Sequence, residues 1–181
     1  MAARADALLM TVERFRELPD LPGARQELHW GQVVNVAFPK ATHANLQYRL
    51  VELLRPIVQE QGMVQHELAF RAVPQYDLRS ADVGFVTRER WKAAVDGDDN
   101  LRGSPELVIE VLSPSNTKAE MREKAALCLS TGCEEFWLID PHRKTINVTR
   151  QDGDYTLYGI GDRIPLARFN ADLAVDAIFA F

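Results

Sequence analysis

Apolar and polar positions alternate along this chain in two periods, one helical and one extended. Residues 41–59 carry Leu46, Leu50, Leu53, Leu54 and Ile57 at successive offsets of four, three, one and three, which line one stripe of a helix. Pro56 falls inside that segment and predicts a kinked or shortened last turn. A shorter helix is read over 11–18, with Thr11 as its cap and Pro19 beyond its end. A third, over about 118–130, puts Met121, Ala125, Cys128 and Leu129 on a buried seam, with Gly132 placed to end it. Extended patterns at 26–30 and 33–38 predict a hairpin joined at Gly31-Gln32. Further strands are read at 62–70, 81–86, 107–112, 135–140, 145–150 and 155–160, the last two around a turn at Asp152-Gly153. The stretch 74–80 is rich in turn residues, 96–100 is a polar loop, and the apolar stretch 171–181 predicts a short docked cap.

This order of elements describes an α/β or α+β domain with a mixed β-sheet flanked by helices. The strand-helix-strand unit over 106–140 predicts a right-handed crossover between parallel strands. A chain of 181 residues suits one domain, 1–181, with a substantial core.

One position breaks the apolar pattern. Glu110 stands alone in Leu107-Val108-Ile109-Glu110-Val111-Leu112, a strand whose composition calls for cover on both faces. An ionised carboxylate there costs several kcal/mol or more unless a cation pairs with it or a proton neutralises it. Asp82 is a second acid in an apolar strand, Ala81-Asp82-Val83-Gly84-Phe85-Val86, 28 residues earlier. Two such strands side by side would bring two hard oxygen ligands to one point, which suits Mg²⁺ or Mn²⁺ with waters and a phosphate. Read blandly, Asp82 only begins its strand and caps a turn. Lys124 lies on the following helix, about 60° from Met121, and from there can reach over the strand's end. It is equally a solvated partner for Glu120 or Glu123. Glu27 opens the first hairpin, where alternation alone turns it to solvent. His43, in the first turn of the long helix, is a ligand, a phosphate contact or a helix-start residue. Lys118 and Arg122 are candidate phosphate contacts.

Bulk composition narrows the classes. The formal net charge of −5 argues against a protein that coats nucleic acid nonspecifically, while leaving room for an enzyme with a local basic groove. Cys128 and Cys133 are the only cysteines, too few for a disulfide scaffold and wrongly spaced for a zinc knuckle, so a reducing cytoplasm is expected. The first ten residues do not read as a signal peptide, and no segment approaches the roughly 18 apolar residues of a membrane span. Nucleophile-elbow, phosphate-loop, His-Glu-x-x-His and Cys-x-x-Cys motifs are missing from the sequence.

Several runs together resemble the Uma family of bacterial restriction-endonuclease-like proteins, in the PD-(D/E)XK nuclease superfamily. They are Ala81-Asp82-Val83, Pro105-Glu106-Leu107-Val108-Ile109-Glu110-Val111-Leu112-Ser113-Pro114-Ser115, and Lys124-Ala125-Ala126-Leu127. Gly132-Cys133-Glu134-Glu135-Phe136-Trp137-Leu138-Ile139-Asp140-Pro141 follows them, and Thr11-Val12-Glu13-Arg14-Phe15 and Glu27-Leu28-His29-Trp30-Gly31-Gln32-Val33-Val34 match earlier, over about 11–150 in all. The resemblance implies a restriction-endonuclease-like fold, with Asp82 and Glu110 as metal-binding acids and DNA as substrate. The superfamily's lysine usually follows the second acid by two positions, where this chain has Leu112, and Lys124 would stand in for it. Glu27 carries over as a supporting acid and His43 as a site residue.

The expected function is therefore a Mg²⁺- or Mn²⁺-dependent endonuclease acting on DNA, with a homodimer expected because cutting two strands commonly uses two copies. Two alternatives stand beside it: a catalytically silent nuclease-fold module for nucleic-acid binding or assembly, and an interaction protein using 173–181 as a dimer surface.

Overall fold

The apolar segments pair into one seven-stranded mixed sheet with helices on both faces. The computed structural model describes residues 9–19, 21–114 and 116–180. Ser115 of the motif above, Phe181 and the segment read for a signal peptide up to residue 8 lie outside the described residues. In chain order the elements are α1 (Val12–Arg16), β1 (Arg25–His29), β2 (Gln32–Val36), α2 (Ala41–Val58), β3 (Gly62–Arg71), β4 (Arg79–Thr87), α3 (Arg88–Asp96), β5 (Leu101–Arg102) and β6 (Leu107–Val111). They continue with α4 (Lys118–Ser130), β7 (Glu135–Asp140), β8 (Thr145–Arg150), β9 (Tyr155–Tyr158), β10 (Arg163–Leu166), a 3₁₀ turn (Ala167–Phe169), β11 (Ala171–Ala174) and α5 (Val175–Phe179).

The main sheet has the order β5-β3-β4-β6-β7-β8-β9, while β1–β2 and β10–β11 form separate hairpins. β6 and β7 run parallel, which demands a crossover, and α4 supplies it. One core gathers Leu46, Leu50, Leu54 and Val58 of α2 with Val83, Phe85, Ile109, Trp137 and the α5 residues Ile178 and Phe179. The other gathers Leu127 and Cys128 of α4 with Phe70, Ala81, Val86, Val108 and Phe136.

Differences from the sequence reading have local causes. Helix α2 runs through Pro56 to Val58, because Leu50, Leu54 and Val58 pack its last turn onto the sheet. α1 is shorter than predicted, ending at Arg16, with the Arg14 N–H donating to Thr11 Oγ1 at 3.4 Å. α3 was hidden because it buries no residue fully; Arg90 instead ties it down, donating to the carbonyls of Ser104 and Arg102 at 2.9 and 2.8 Å. Leu173, Val175, Ile178 and Phe179 are consumed by the chain's own core, so the segment read as a dimer surface offers little to a partner.

Close strand approach fixes the start of β3. A Cβ on Gly62 would lie 2.1 Å from the Val86 carbonyl oxygen and 2.9 Å from Thr87 Cα, both rigid backbone. Gly62→Ala is expected to cost about 1–3 kcal/mol through forced separation of β3 and β4. Urea unfolding monitored by circular dichroism checks this, and an unchanged midpoint would contradict it.

Candidate active site

The site forms where β3 and β4 switch faces. Val64 packs in the α2-side core, yet Phe70, six residues on in the same strand, packs in the α4-side core. Regular alternation would leave both on one face. Glu67 accounts for the switch: its φ of 53° puts a non-glycine residue in the left-handed region, at a cost of about 1–3 kcal/mol. The β3–β4 register places Glu67 opposite Asp82, and in β4 the same switch falls between Ala81 and Val83.

Pairing between β4 and β6 changes character at the same level. The ladder includes Val83↔Ile109 and Gly84↔Val108, so the next position sets Asp82 opposite Glu110. There the carboxylates enter the ladder themselves. The Asp82 N–H donates to Glu110 Oε1 at 3.3 Å, and the Val111 N–H donates to Asp82 Oδ2 at 2.7 Å. The two acids are thus joined through reciprocal backbone contacts at the carboxyl end of β6, the end where open α/β sheets bind ligands.

Helices from opposite faces converge on this opening. From α2, His43 Nε2 lies 3.0 Å from Asp82 Oδ1, and Gln47 Nε2 donates to the same oxygen at 2.9 Å and to Glu67 Oε1 at 2.6 Å. From α4, Lys124 Nζ reaches Glu110 Oε2 at 2.8 Å and donates to the Ser80 carbonyl, also at 2.8 Å. The β1 hairpin closes a third side. Glu27 accepts from the Ser80 N–H at 3.1 Å, its other oxygen lies 2.8 Å from His29 Nε2, and Arg25 pairs with Glu67.

Burial and charge pull against each other here. Glu110 is 6% exposed. Burial pushes its carboxyl up to about 7, opposed by the Lys124 charge and reinforced by those of Asp82 and Glu27. Lys124 is held above the ordinary lysine value: burial works against its charge, but Glu110, Glu27 and Asp82 outweigh that. Burial also disfavours ionised Asp82, yet the hydrogen bond and charge of His43, then the charge of Lys124, hold it below the usual range. His43 is raised, the bond and charge of Asp82 prevailing over desolvation. Glu27 is lowered in spite of burial by its bond to His29 and the Lys124 charge.

Of the residues singled out from sequence, Asp82, Glu110, Lys124, Glu27 and His43 come together. Glu27 corrects the alternation argument: it is 8% exposed because β1 lies against β4 near Ser80 instead of facing water. Lys124 pairs with Glu110 and not with its helix neighbours Glu120 or Glu123. Lys118 and Arg122 are exposed, and the bond recorded for Arg122, to the Lys118 carbonyl at 3.2 Å, stays within α4. Gln47, Glu67, Arg25 and His29 escaped the sequence reading. Gln47 had a signal, four residues after His43 and so on the same helix face; Glu67 had none, since only its backbone twist brings it in.

Asp77, outside β4, is fully buried and holds Arg79 at 3.0 Å, while Arg79 makes a paired contact of 2.8 and 3.0 Å with Glu123. This second network lies beside the first and clamps the hairpin, β4 and α4 together.

Among the described residues, no group of three or more His, Cys, Asp and Glu side chains is gathered to hold a metal ion alone. Two carboxylates nonetheless meet the needs of Mg²⁺, which keeps several waters and takes the rest from substrate phosphate. The closeness of Glu27, Asp82 and Glu110 fits a divalent cation, because positive charge would offset what Asp82 and Glu27 add to the rise that burial imposes on Glu110.

The family described as Putative restriction endonuclease, Uma2, matches residues 12–176. The crystal structure of a putative nuclease belonging to DUF820 from Anabaena variabilis aligns with a TM-score of 0.78 at 22% identity, covering 94% of this chain and 97% of that one. That likeness is one of fold. No curated protein matches the chain. No helix among the described residues is long and apolar enough to cross a membrane.

The raised Glu110 carboxyl links the site to stability. A group whose folded pKa exceeds its unfolded value contributes stability below the unfolded pKa and loses it as pH rises through the folded one. For Glu110 that window runs from the ordinary carboxylate range to about 7. Glu110→Gln removes the titration, so its melting temperature relative to the native protein should climb across that window. A difference that stays flat between pH 4.5 and 8 in thermal melts would contradict the assignment.

Proposed function

Since the chain belongs to the Uma2 family, described as Putative restriction endonuclease, we propose that it is a divalent-metal-dependent endonuclease hydrolysing DNA phosphodiester bonds at Asp82, Glu110 and Lys124. One observation carries the reading most: two acids face each other across adjacent strands at the carboxyl end of β6, with a lysine from the crossover helix on the second.

Asp82 and Glu110 would hold Mg²⁺ or Mn²⁺. When bound, the ion supplies charge neutralisation at the phosphate and lowers the pKa of a water. Lys124 keeps its proton at working pH, so it acts as a charge and hydrogen-bond donor toward the phosphate or the attacking water, not as a base. Its second bond, to the Ser80 carbonyl, fixes the ammonium from α4 and makes up for the apolar Leu112 in the superfamily's lysine position. His43 and Gln47 aim Asp82 by occupying one of its oxygens. Glu27 holds Ser80 in place and adds negative charge that favours cation uptake. Lys118 and Arg122, exposed on α4, serve as phosphate contacts that position the strand without reading its bases.

The silent-module reading draws on the same pair, because Lys124 already satisfies Glu110. Metal calorimetry separates the two: a nuclease binds Mn²⁺ stoichiometrically and Glu110→Gln removes that binding, whereas a module of the other kind shows no such site.

Purified protein with Mg²⁺ or Mn²⁺ should nick plasmid DNA, and excess chelator should stop it. Asp82→Ala, Glu110→Gln and Lys124→Met should each lower the rate by about 100-fold or more. Intact single- and double-stranded DNA after incubation with either metal would defeat the proposal.

A further inference from the structure

Trp30 is 49% exposed, yet its position is tightly determined. It stands at the tip of the β1–β2 hairpin with a φ of 50°, a left-handed conformation that costs a bulky residue about 1–3 kcal/mol. Its backbone N–H donates to Asp77 Oδ2 at 3.3 Å, and the next N–H, of Gly31, donates to the Tyr76 carbonyl at 2.6 Å. Its indole Nε1–H donates to Glu123 Oε1 at 2.9 Å. Both of those acids are anchored on Arg79, itself 2% exposed. A strained backbone, a satisfied indole N–H and a buried guanidinium behind them hold the ring still while half of it meets water.

The ring is placed at the rim of the candidate site. His29, which bonds Glu27 within the site, immediately precedes it in the chain, and Glu123, which pins it, immediately precedes Lys124. A rigid, half-exposed ring next in the chain to His29 of the candidate site suits a nucleobase.

We propose that Trp30 is a stacking platform for an unpaired base, which makes the substrate single-stranded DNA or a duplex with a base displaced beside the scissile phosphate. Bases within an intact duplex already stack on each other and offer no free face. The identity of the substrate rests on the nuclease reading above; the stacking contact rests on the geometry of Trp30. Stacking would select for strand state over sequence, because every base has a π-face.

Indole fluorescence tests this without any variant, since Trp137 is fully buried and Trp91 partly buried. In chelator, so that no strand is cut, oligothymidylate should quench the emission, and a blunt duplex of mixed sequence should quench it much less. Trp30→Phe keeps a ring to stack and should abolish the quench while holding affinity within about threefold, whereas Trp30→Ala should weaken single-strand binding by about tenfold. A quench that survives in Trp30→Phe, equal quenching by duplex, or single-strand binding by folded Trp30→Ala as tight as that of the native protein would overturn the proposal. Quenching by a protein that never cuts with metal would remove the nuclease reading and leave the stacking contact standing. Cutting with unaltered affinity and rate in Trp30→Ala would remove the stacking contact alone.

Discussion

A carboxylate in the middle of an aliphatic strand has to be neutralised, and the contact between Lys124 and Glu110 does this across 2.8 Å. The lysine comes from the helix that carries the chain from β6 to the parallel β7, so the same segment that completes the sheet also delivers the counter-charge. The pairing is incomplete in electrostatic terms. Burial raises the Glu110 carboxyl against the pull of Lys124, and the charges of Asp82 and Glu27 add to that rise. Further positive charge beside Glu110 would oppose that rise.

The backbone makes room for this by giving up regularity. At Glu67 and Asp82 the strand pair β3–β4 exchanges its faces, and between β4 and β6 side-chain oxygens take over from carbonyls as acceptors for Asp82 and Val111. The Asp82 and Val111 N–H groups at the break still find acceptors, so the cost there is conformational and not one of lost hydrogen bonds. Local strain of this kind persists only where surrounding packing enforces it. Here the enforcement comes from two cores, one against α2 and one against α4, which grip the sheet on either side of the break.

The Asp77–Arg79–Glu123 network does for the hairpin what the cores do for the sheet. β1 and β2 belong to a separate two-stranded sheet, and the bridge from Leu28 to Leu78 gives them only a narrow backbone hold on the rest. The buried guanidinium adds a firm, directional tie between hairpin tip, β4 and α4. Glu27 reaches Ser80 because of that tie, and Trp30 is held at the rim by it. Removing Asp77 or Glu123 would leave Arg79 with one acid in place of two and with buried N–H groups that have lost their acceptor, so both acids are structural as much as neighbours of the site.

Much was legible from residue order alone. Periodicity located α2, α4 and the central strands, because burial on one stripe or on both faces leaves a strong mark on composition. Glu110 announced itself, since an acid between Ile109 and Val111 violates that mark, and Asp82 did the same more faintly. The register that sets these two acids opposite each other, the lysine's choice of Glu110 over Glu120 or Glu123, and the burial of Glu27 were decided by tertiary contacts between segments far apart in the chain. Gln47 and Glu67 belong to that second group as well: one looks like a polar residue on a long helix, the other like a solvent-facing strand acid, until a single left-handed φ turns the strand. Local pattern records how each segment meets water or core. It holds no record of which buried charges will meet each other, because that depends on where the sheet bends.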